Sequence, residues 1–205
     1  MTEFAMYHEG SRTLQDRFGA RRLADRMVER IVHEGFTDED RAFIESRPLF
    51  FLATADAQGR PDCSYKGGVP GFVRVIDAHT LAFPSYDGNG MFKSAGNLLV
   101  NPHVGLLFID FESPKRLRVN GRATIDANDP LRADFIGAQL IVRVRPDVTF
   151  PNCPRYIHRM QIVESSVYAP CPGHTPPTPK WKTMPHFSEV LPLGELESSG
   201  PGAKD

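Results

Sequence analysis

The sequence predicts a mainly β fold, a strand-rich barrel or sheet with peripheral helices, and three observations carry that prediction. Short apolar runs recur between residues 49 and 149, each bounded by Gly, Pro, Asn or Asp. Long helical spacing of apolar residues is confined to the beginning of the chain. With 205 residues, the chain can bury one core without disulfide bridges, which favours one domain with terminal extensions.

The first element is predicted to be helical, because apolar residues recur four positions apart. They are Leu14 with Phe18, followed by Leu23, Met27 and Ile31. A second, short helix is predicted from the stretch "TDEDRAFIESRP". There Thr37 is a suitable N-cap, Asp40 occupies the capping-box position, and Pro48 ends the helix.

The middle of the chain predicts strands. "LFFLATAD", the turn "AQGRP" and "DCSYKGG" form a β-hairpin pattern, and further strands are expected in "FVRVID" and "HTLAFPS". A helix over residues 91–101 interrupts the series, which resumes with "HVGLLFIDF" and "KRLRVNGRATID". A short helix is expected near Pro130, and "LIVRVRPDVTF" alternates like a half-buried strand.

These patterns divide the chain into three parts. Residues 1–36 are predicted to form an N-terminal helical extension, and residues 37–168 the barrel domain. Residues 169–205 are predicted to be a proline-rich C-terminal extension that ends in a mobile tail, because "APCPGHTPPTPKW" has too many prolines for regular structure.

Charge and cysteine content restrict the class of partner. Lys plus Arg (24) nearly cancel Asp plus Glu (25), which disfavours a nucleic-acid partner. Three cysteines without a C-x-x-C motif fit a reducing compartment, and the cytoplasm is expected. Neither the N-terminal "MTEFAMYHEG" nor runs such as "VGLLFI" predict a targeting signal or a membrane span.

The stretch "SYDGNGMFKS" predicts an anion site, because a glycine turn that opens a helix gathers free backbone N–H groups. The donors would be the loop N–H groups of residues 87–90, Asn89 among them, with Lys93 and Ser94. A nucleotide P-loop is disfavoured, since Phe92 replaces the glycine that should precede the lysine. The alternative is a turn that only caps a surface helix.

Four segments together resemble the pyridoxamine 5′-phosphate oxidase-like flavoproteins, which are FMN-binding split β-barrels. They are "FFLATADAQGRPDCSYKGG", "GFVRVID", "TLAFPSYDGNGMFKSAGNLLVNPHVGLLFIDF" and "RLRVNGRATI". The resemblance covers roughly residues 43–149. It implies a homodimer with FMN at the subunit interface, and a phosphate held by basic and hydroxyl side chains of the barrel and its interrupting helix.

The resemblance directs attention to further cofactor-binding candidates. Ser64 and Lys66 lie two positions apart and share a strand face, which the resemblance places beside the flavin. Arg116 and Arg118 share another face, and one or both could contact the ribityl-phosphate or the pyrimidine end of the ring, where a positive charge would stabilise the reduced, anionic flavin. Asn97, one turn beyond Ser94, is a weaker candidate that could equally cap local backbone. Both strand faces could instead be solvated.

The polar segment "NCPRYIHRM" adds Arg155 as a candidate contact to flavin or substrate. A metal site competes there, because Cys153 with His158, and Cys171 with His174, are ligand pairs that zinc accepts. Their order and the intervening prolines match no zinc module, so no metal is predicted. No serine or histidine arrangement typical of a catalytic triad is present, and no catalytic residue is assigned.

The chain departs from the true oxidase at its C-terminal end. That enzyme carries Arg-Leu-His after a tryptophan, whereas "KTMPHF" follows Trp181 here, so the vitamin substrate is not carried over. We expect an oxidoreductase that passes electrons between a nicotinamide and a small organic acceptor. Without G-x-G-x-x-G, NADH or NADPH would bind only transiently. The alternative is a non-catalytic flavin- or haem-binding carrier or sensor.

Overall fold

The computed structural model describes residues 6–192, which fall into two compact units that divide between Gln161 and Ile162. The first unit begins with three helices: α1 (Glu9–Arg17), α2 (Arg21–Ile31) and α3 (Asp38–Glu45). The helical spacing between Leu14 and Ile31 is therefore divided between two helices. Gly19 lies between them with a φ of 64°, a left-handed conformation that favours glycine and ends α1.

Seven antiparallel strands and one helix follow, in the order that the sequence predicts. They are β1 (Leu49–Ala55), β2 (Pro61–Gly67), β3 (Arg74–Asp77), β4 (Thr80–Tyr86), α4 (Lys93–Val100), β5 (His103–Asp110), β6 (Lys115–Asp126) and β7 (Ala138–Asn152). The short helix expected near Pro130 is a single 3-10 turn, Pro130–Asp134. The mainly β prediction with peripheral helices is confirmed.

The strands form one sheet in the order β2-β1-β5-β6-β7-β4-β3, which curls around a main apolar core, and a smaller buried cluster contains Ala82, Phe135 and Ile141. At the centre Phe50 packs against the rings of Phe72, Phe83 and Phe108, with centroid distances of 4.9–5.9 Å. β6 and β7 shift register beside Gly121, where a Cβ atom would collide with the carbonyl oxygen of Arg145. That bulge bends the two longest strands, which lets the sheet close on its core.

The helices before the sheet are attached in different ways. No residue of α1 or α2 is buried, and all of both helices is described. The chain then reaches the sheet at His33, whose backbone exchanges two hydrogen bonds with Thr149. α3 inserts Ile44 into the core and starts with the predicted capping box of Thr37 and Asp40. The N-terminal extension is thus tied to the sheet mainly through its last residues.

The second unit contains little regular structure. It holds a 3-10 turn (Lys180–Thr183) and α5 (Pro185–Ser188), where Trp181 contacts Phe187 edge to face at 5.6 Å. Residues 193–205, where a mobile tail is predicted, lie outside the described residues, and the predicted boundary at residue 168 stays a prediction. Within residues 6–192, no helix is long and apolar enough to cross a membrane.

Candidate functional site

Three predicted residues meet where β2 passes the start of α4. Register pairs Ser64 with Leu52 and Lys66 with Phe50, so both polar side chains lie on the core side of the sheet. Ser64 Oγ lies 3.0 Å from Ser94 Oγ. The Lys66 ammonium donates to the same Ser94 oxygen at 3.5 Å. Two hydroxyls and one cation therefore converge at one point.

The start of α4 leaves its first backbone donors without a side-chain cap. Phe92 occupies the N-cap position, makes no capping hydrogen bond and has a φ of 46°. A left-handed conformation is costly for an aromatic residue and is a feature that often accompanies functional sites. The first N–H groups of a helix lack intrahelical partners and carry the positive end of the helix dipole. An anion could therefore bind at this helix start.

Lys66 and Ser94 line a cavity of about 270 Å³, which we call the serine–lysine cavity. Its wall combines an apolar side with a polar rim. The apolar side includes Leu52, Phe72, Phe83, Leu98 and Val142, and the rim includes Lys66, Ser85, Tyr86, Asp87, Gly88 and Ser94. Such a combination suits an organic ligand that has one charged end.

Burial changes the acid–base behaviour of two rim residues. Loss of solvent around the ammonium lowers the pKa of Lys66, an effect that Asp62 partly opposes. Loss of solvent around the phenol raises the pKa of Tyr86, partly opposed by Arg74. Both shifts disfavour the charged form. A bound anion would offset the desolvation of Lys66 by placing a negative charge beside its ammonium.

The remaining candidates from the turn and from α4 lie around this cavity without lining it. Asn97 is buried, and its amide nitrogen donates to Thr54 Oγ1 on β1 at 2.9 Å, which attaches α4 to the sheet. Asn89 is exposed and accepts from the Met91 N–H at 3.1 Å, closing the turn. Lys93, the first residue of α4, is exposed. Their contact with a ligand stays a prediction.

The three arginine candidates are placed elsewhere. Arg116 and Arg118 lie on the face of β6 opposite the buried Leu117 and Val119, as predicted from their alternation. They are therefore on the other side of the sheet from Ser64 and Lys66. Arg155 is exposed in the loop after β7. Within one chain these arginines cannot join the cluster around Ser94.

Sequence reasoning missed Tyr86 and Thr54. Tyr86 ends β4 immediately before the glycine turn, so its place next to a predicted site was a usable signal. Thr54 gave no such signal, because its partner Asn97 is 43 residues away. No group of three or more His, Cys, Asp or Glu side chains suited to a metal occurs in the described part of the chain.

Comparison with known proteins identifies relatives. The family model described as pyridoxamine 5′-phosphate oxidase matches residues 36–162. Among curated proteins, heme oxygenase HutZ of Vibrio cholerae serotype O1 is 34% identical over 90 residues, which span 43% of this chain and 46% of HutZ. The chain thus matches about half the length of that relative.

Solved structures also align. HupZ of Group A Streptococcus superposes with a TM-score of 0.46 at 19% identity, covering 62% of this chain and 99% of HupZ. General Stress Protein 26 of Bacillus anthracis str. Sterne gives a TM-score of 0.42 at 15% identity, covering 54% of this chain and 88% of that one. Likenesses this distant assign no ligand or activity.

Proposed function

We propose that this chain, which belongs to the pyridoxamine 5′-phosphate oxidase family, binds FMN with its phosphate at Ser64, Lys66 and Ser94. The convergence of these three side chains at the uncapped start of α4 carries the proposal. FMN phosphate has nearly two negative charges and several acceptor oxygens. Two hydroxyl donors, one ammonium and free backbone N–H groups match that requirement.

The size of the serine–lysine cavity supports a site completed by a second subunit. Pockets that enclose a ligand of this size usually have about 300–1,000 Å³. About 270 Å³ in one chain would hold the phosphate end, with the rest of the cofactor extending outward. Arg116 and Arg118, on the other side of the sheet, could then reach a flavin only from the partner subunit.

A homodimer is also supported by the solvent-facing surface of the strands at the β2 edge. Tyr65 is 61% exposed and packs edge to face on Phe51, its cross-strand partner, with centroids 6.1 Å apart. Leu107 on β5 lies opposite Phe51 on the same surface. An unpaired edge strand beside apolar side chains is a surface that proteins usually cover. We expect light scattering to give a dimer, and a monomer that holds FMN tightly would contradict the interfacial site.

The activity we propose is electron transfer between a nicotinamide and a small organic acceptor. Bound FMN would supply the redox chemistry, and the chain would hold the phosphate and keep one side of the cofactor against apolar side chains. The discriminating measurement is reduction of the bound flavin by NADH or NADPH, followed by reoxidation with an added acceptor. A flavin that binds but is not reduced by either would favour a carrier or sensor.

Haem binding is the second candidate, favoured by the 34% identity to a relative described as a heme oxygenase. The absorption spectrum of the purified protein, with the identity of the cofactor it releases, decides between FMN and haem. FMN predicts a yellow protein with flavin absorbance that releases FMN on denaturation, identified by mass. A Soret band and released haem would support the second candidate, and failure to bind either added cofactor would overturn both.

A further inference from the structure

A second cavity lies where the N-terminal extension meets the ends of β6 and β7. We call it the arginine cavity; it has a volume of about 850 Å³ and shares no lining residue with the serine–lysine cavity. Its wall includes Arg30 and Ile31 from α2, Phe43 from α3, Lys115 and Arg116 from β6, and Asn152 from β7. Arg30 and Ile31 precede residue 36, where the family match begins.

Two buried polar atoms in this wall have no hydrogen-bond partner among the described residues. They are Arg116 Nε and Asn152 Oδ1. The two residues are directly opposite each other in the β6–β7 register, so the atoms belong to one spot. Buried polar atoms are nearly always paired, and an unpaired one calls for an explanation such as a missing ligand. One atom is a donor and the other an acceptor, so a ligand there must both accept and donate.

The charge balance of the arginine cavity selects an anion. Of its three acids, Asp110 is neutralised by Arg47 at 2.9 Å. Glu39 and Asp40 remain, and Asp40 is hydrogen-bonded to His33 at 2.7 Å. Across residues 6–192 no acid pairs with the lining cations Arg30, Lys115 and Arg116. Positive charge is therefore in excess.

The start of α3 borders the arginine cavity but cannot supply the anion site itself. Its capping box has Thr37 and Asp40 satisfying each other, with the Asp40 carboxylate facing the same space. An anion would therefore depend on the side chains of β6 and α2. Arginine suits this role, because its planar guanidinium stays charged and binds carboxylate or phosphate oxygens in pairs.

Apolar side chains complete the site. Ile31, Phe43 and Leu117 line it together with Pro114, Pro151 and Pro154. The wall therefore combines these apolar side chains with many polar and charged ones, which suits an organic ligand that has both a charged group and an apolar body. We propose that the arginine cavity binds a small organic anion. Its carboxylate or phosphate contacts Arg116 and Lys115, its apolar body packs against Ile31 and Phe43, and a hydroxyl or amide on it donates to Asn152 Oδ1.

The test uses the full-length protein and four probes: 4-hydroxybenzoate, 4-hydroxyphenyl phosphate, inorganic phosphate and benzyl alcohol. NMR titrations of the wild type should show saturable binding of at least one of the two aromatic anions, with much weaker binding of inorganic phosphate and benzyl alcohol. The aromatic anion that binds more tightly shows whether the site prefers a carboxylate or a phosphate. Equal binding of benzyl alcohol, or no binding of either aromatic anion, would overturn the proposal.

Arg116→Met separates ligand binding from structure. This substitution should lower the affinity for the aromatic anion that binds more tightly by about tenfold or more, because a charge-assisted hydrogen bond is lost. Its melting temperature without ligand should equal or exceed that of the wild type, since an unpaired buried donor is removed. Arg122→Met is the matched control, because Arg122 lies exposed on the same strand outside the cavity. It should leave anion binding unchanged.

Two results would contradict the assignment even if an aromatic anion binds. A marked loss of melting temperature in Arg116→Met would mean that Arg116 is a structural residue. Competitive displacement of the aromatic anion by FMN would mean that this cavity is part of the flavin site. The proposal survives a failure of FMN binding, since the titrations with aromatic anions do not involve FMN.

Discussion

α3 and α4 are both eight-residue helices, but their N-terminal ends are built in opposite ways. In α3, Thr37 Oγ1 accepts from the Asp40 N–H at 3.1 Å, and the Asp40 carboxylate accepts from the Thr37 N–H at 2.9 Å. In α4, Phe92 supplies no cap and adopts a left-handed backbone. α4 is held instead by the buried hydrogen bond from Asn97 to Thr54.

The difference assigns different roles to two similar elements. A helix start whose donors are satisfied by its own side chains has little left for a ligand. A start without a cap, next to Ser64 and Lys66, retains donors that an anion can use. The two helices are therefore anchored differently, α3 at its capped start and α4 through Asn97 in its middle, and the proposed FMN phosphate would use the uncapped start of α4.

The largest loss of stability is expected when the hydrogen bond that holds the middle of α4 to the sheet is removed. Asn97→Ala removes the donor and leaves Thr54 Oγ1 buried without this partner, which should cost about 1–3 kcal/mol in the free energy of unfolding. Urea denaturation measures the change. Asn89→Ala, at an exposed turn position, is the control and should stay within about 0.5 kcal/mol of the wild type. Equal losses would show that Asn97 has no special anchoring role.

A smaller effect is expected at the start of α3. Thr37→Ala removes one half of the capping box and should cost about 1 kcal/mol. Its FMN affinity should equal that of the wild type, because α3 does not line the serine–lysine cavity. Thermal unfolding measures the expected loss of stability, and FMN titration measures the expected unchanged affinity. A loss of FMN affinity without a loss of stability would reverse the roles assigned to the two helix starts.

The smallest change in stability is expected at Lys66, the partly buried cation near α4. Burial lowers the pKa of Lys66 below its ordinary value of 10.5, so protonated Lys66 destabilises the folded protein at neutral pH. Lys66→Met should therefore be more stable without ligand, by less than about 1 kcal/mol because solvent screens a partly exposed group. The destabilisation by protonated Lys66 is complete below the lowered pKa and disappears as the pH rises toward 10.5. The stability difference between Lys66→Met and the wild type should therefore shrink over that pH range.

Lys93→Met is the matched control for this measurement, since Lys93 is an exposed lysine at the first position of α4. Its stability should follow that of the wild type across the same pH range. If Lys66→Met is less stable than the wild type at neutral pH, the ammonium has a stabilising partner and the cavity does not need an anion.

Local patterns were sufficient to predict much of this arrangement from the sequence. Thr37 and Asp40 have the spacing of a capping box, and alternation along β2 places Ser64 and Lys66 on one face. Gly19 was available as a signal for the end of α1, but the four-residue spacing on both sides hid it. These features depend on residues close together in the chain.

The remaining features depend on how the sheet closes, which no local pattern specifies. Alternation shows that Arg116 and Arg118 share a face, but not that this face is opposite the one carrying Ser64. Asn97 could not be recognised as an anchor, because Thr54 meets it only after β1 and α4 pack together. The unpaired Nε of Arg116 is likewise visible only once β7 lies beside β6.

The measurement that tests the central claim most directly is a comparison of FMN with riboflavin, which has the same ring and ribityl chain without the phosphate. Lys66→Met combined with Ser94→Ala would remove two of the proposed phosphate contacts, each worth roughly 1.5–3 kcal/mol. FMN affinity, followed by flavin fluorescence, should fall about a hundredfold or more, and riboflavin affinity should hardly change. Equal losses for both ligands would mean that the cluster only supports the structure. No loss for either would place the phosphate elsewhere and contradict the site.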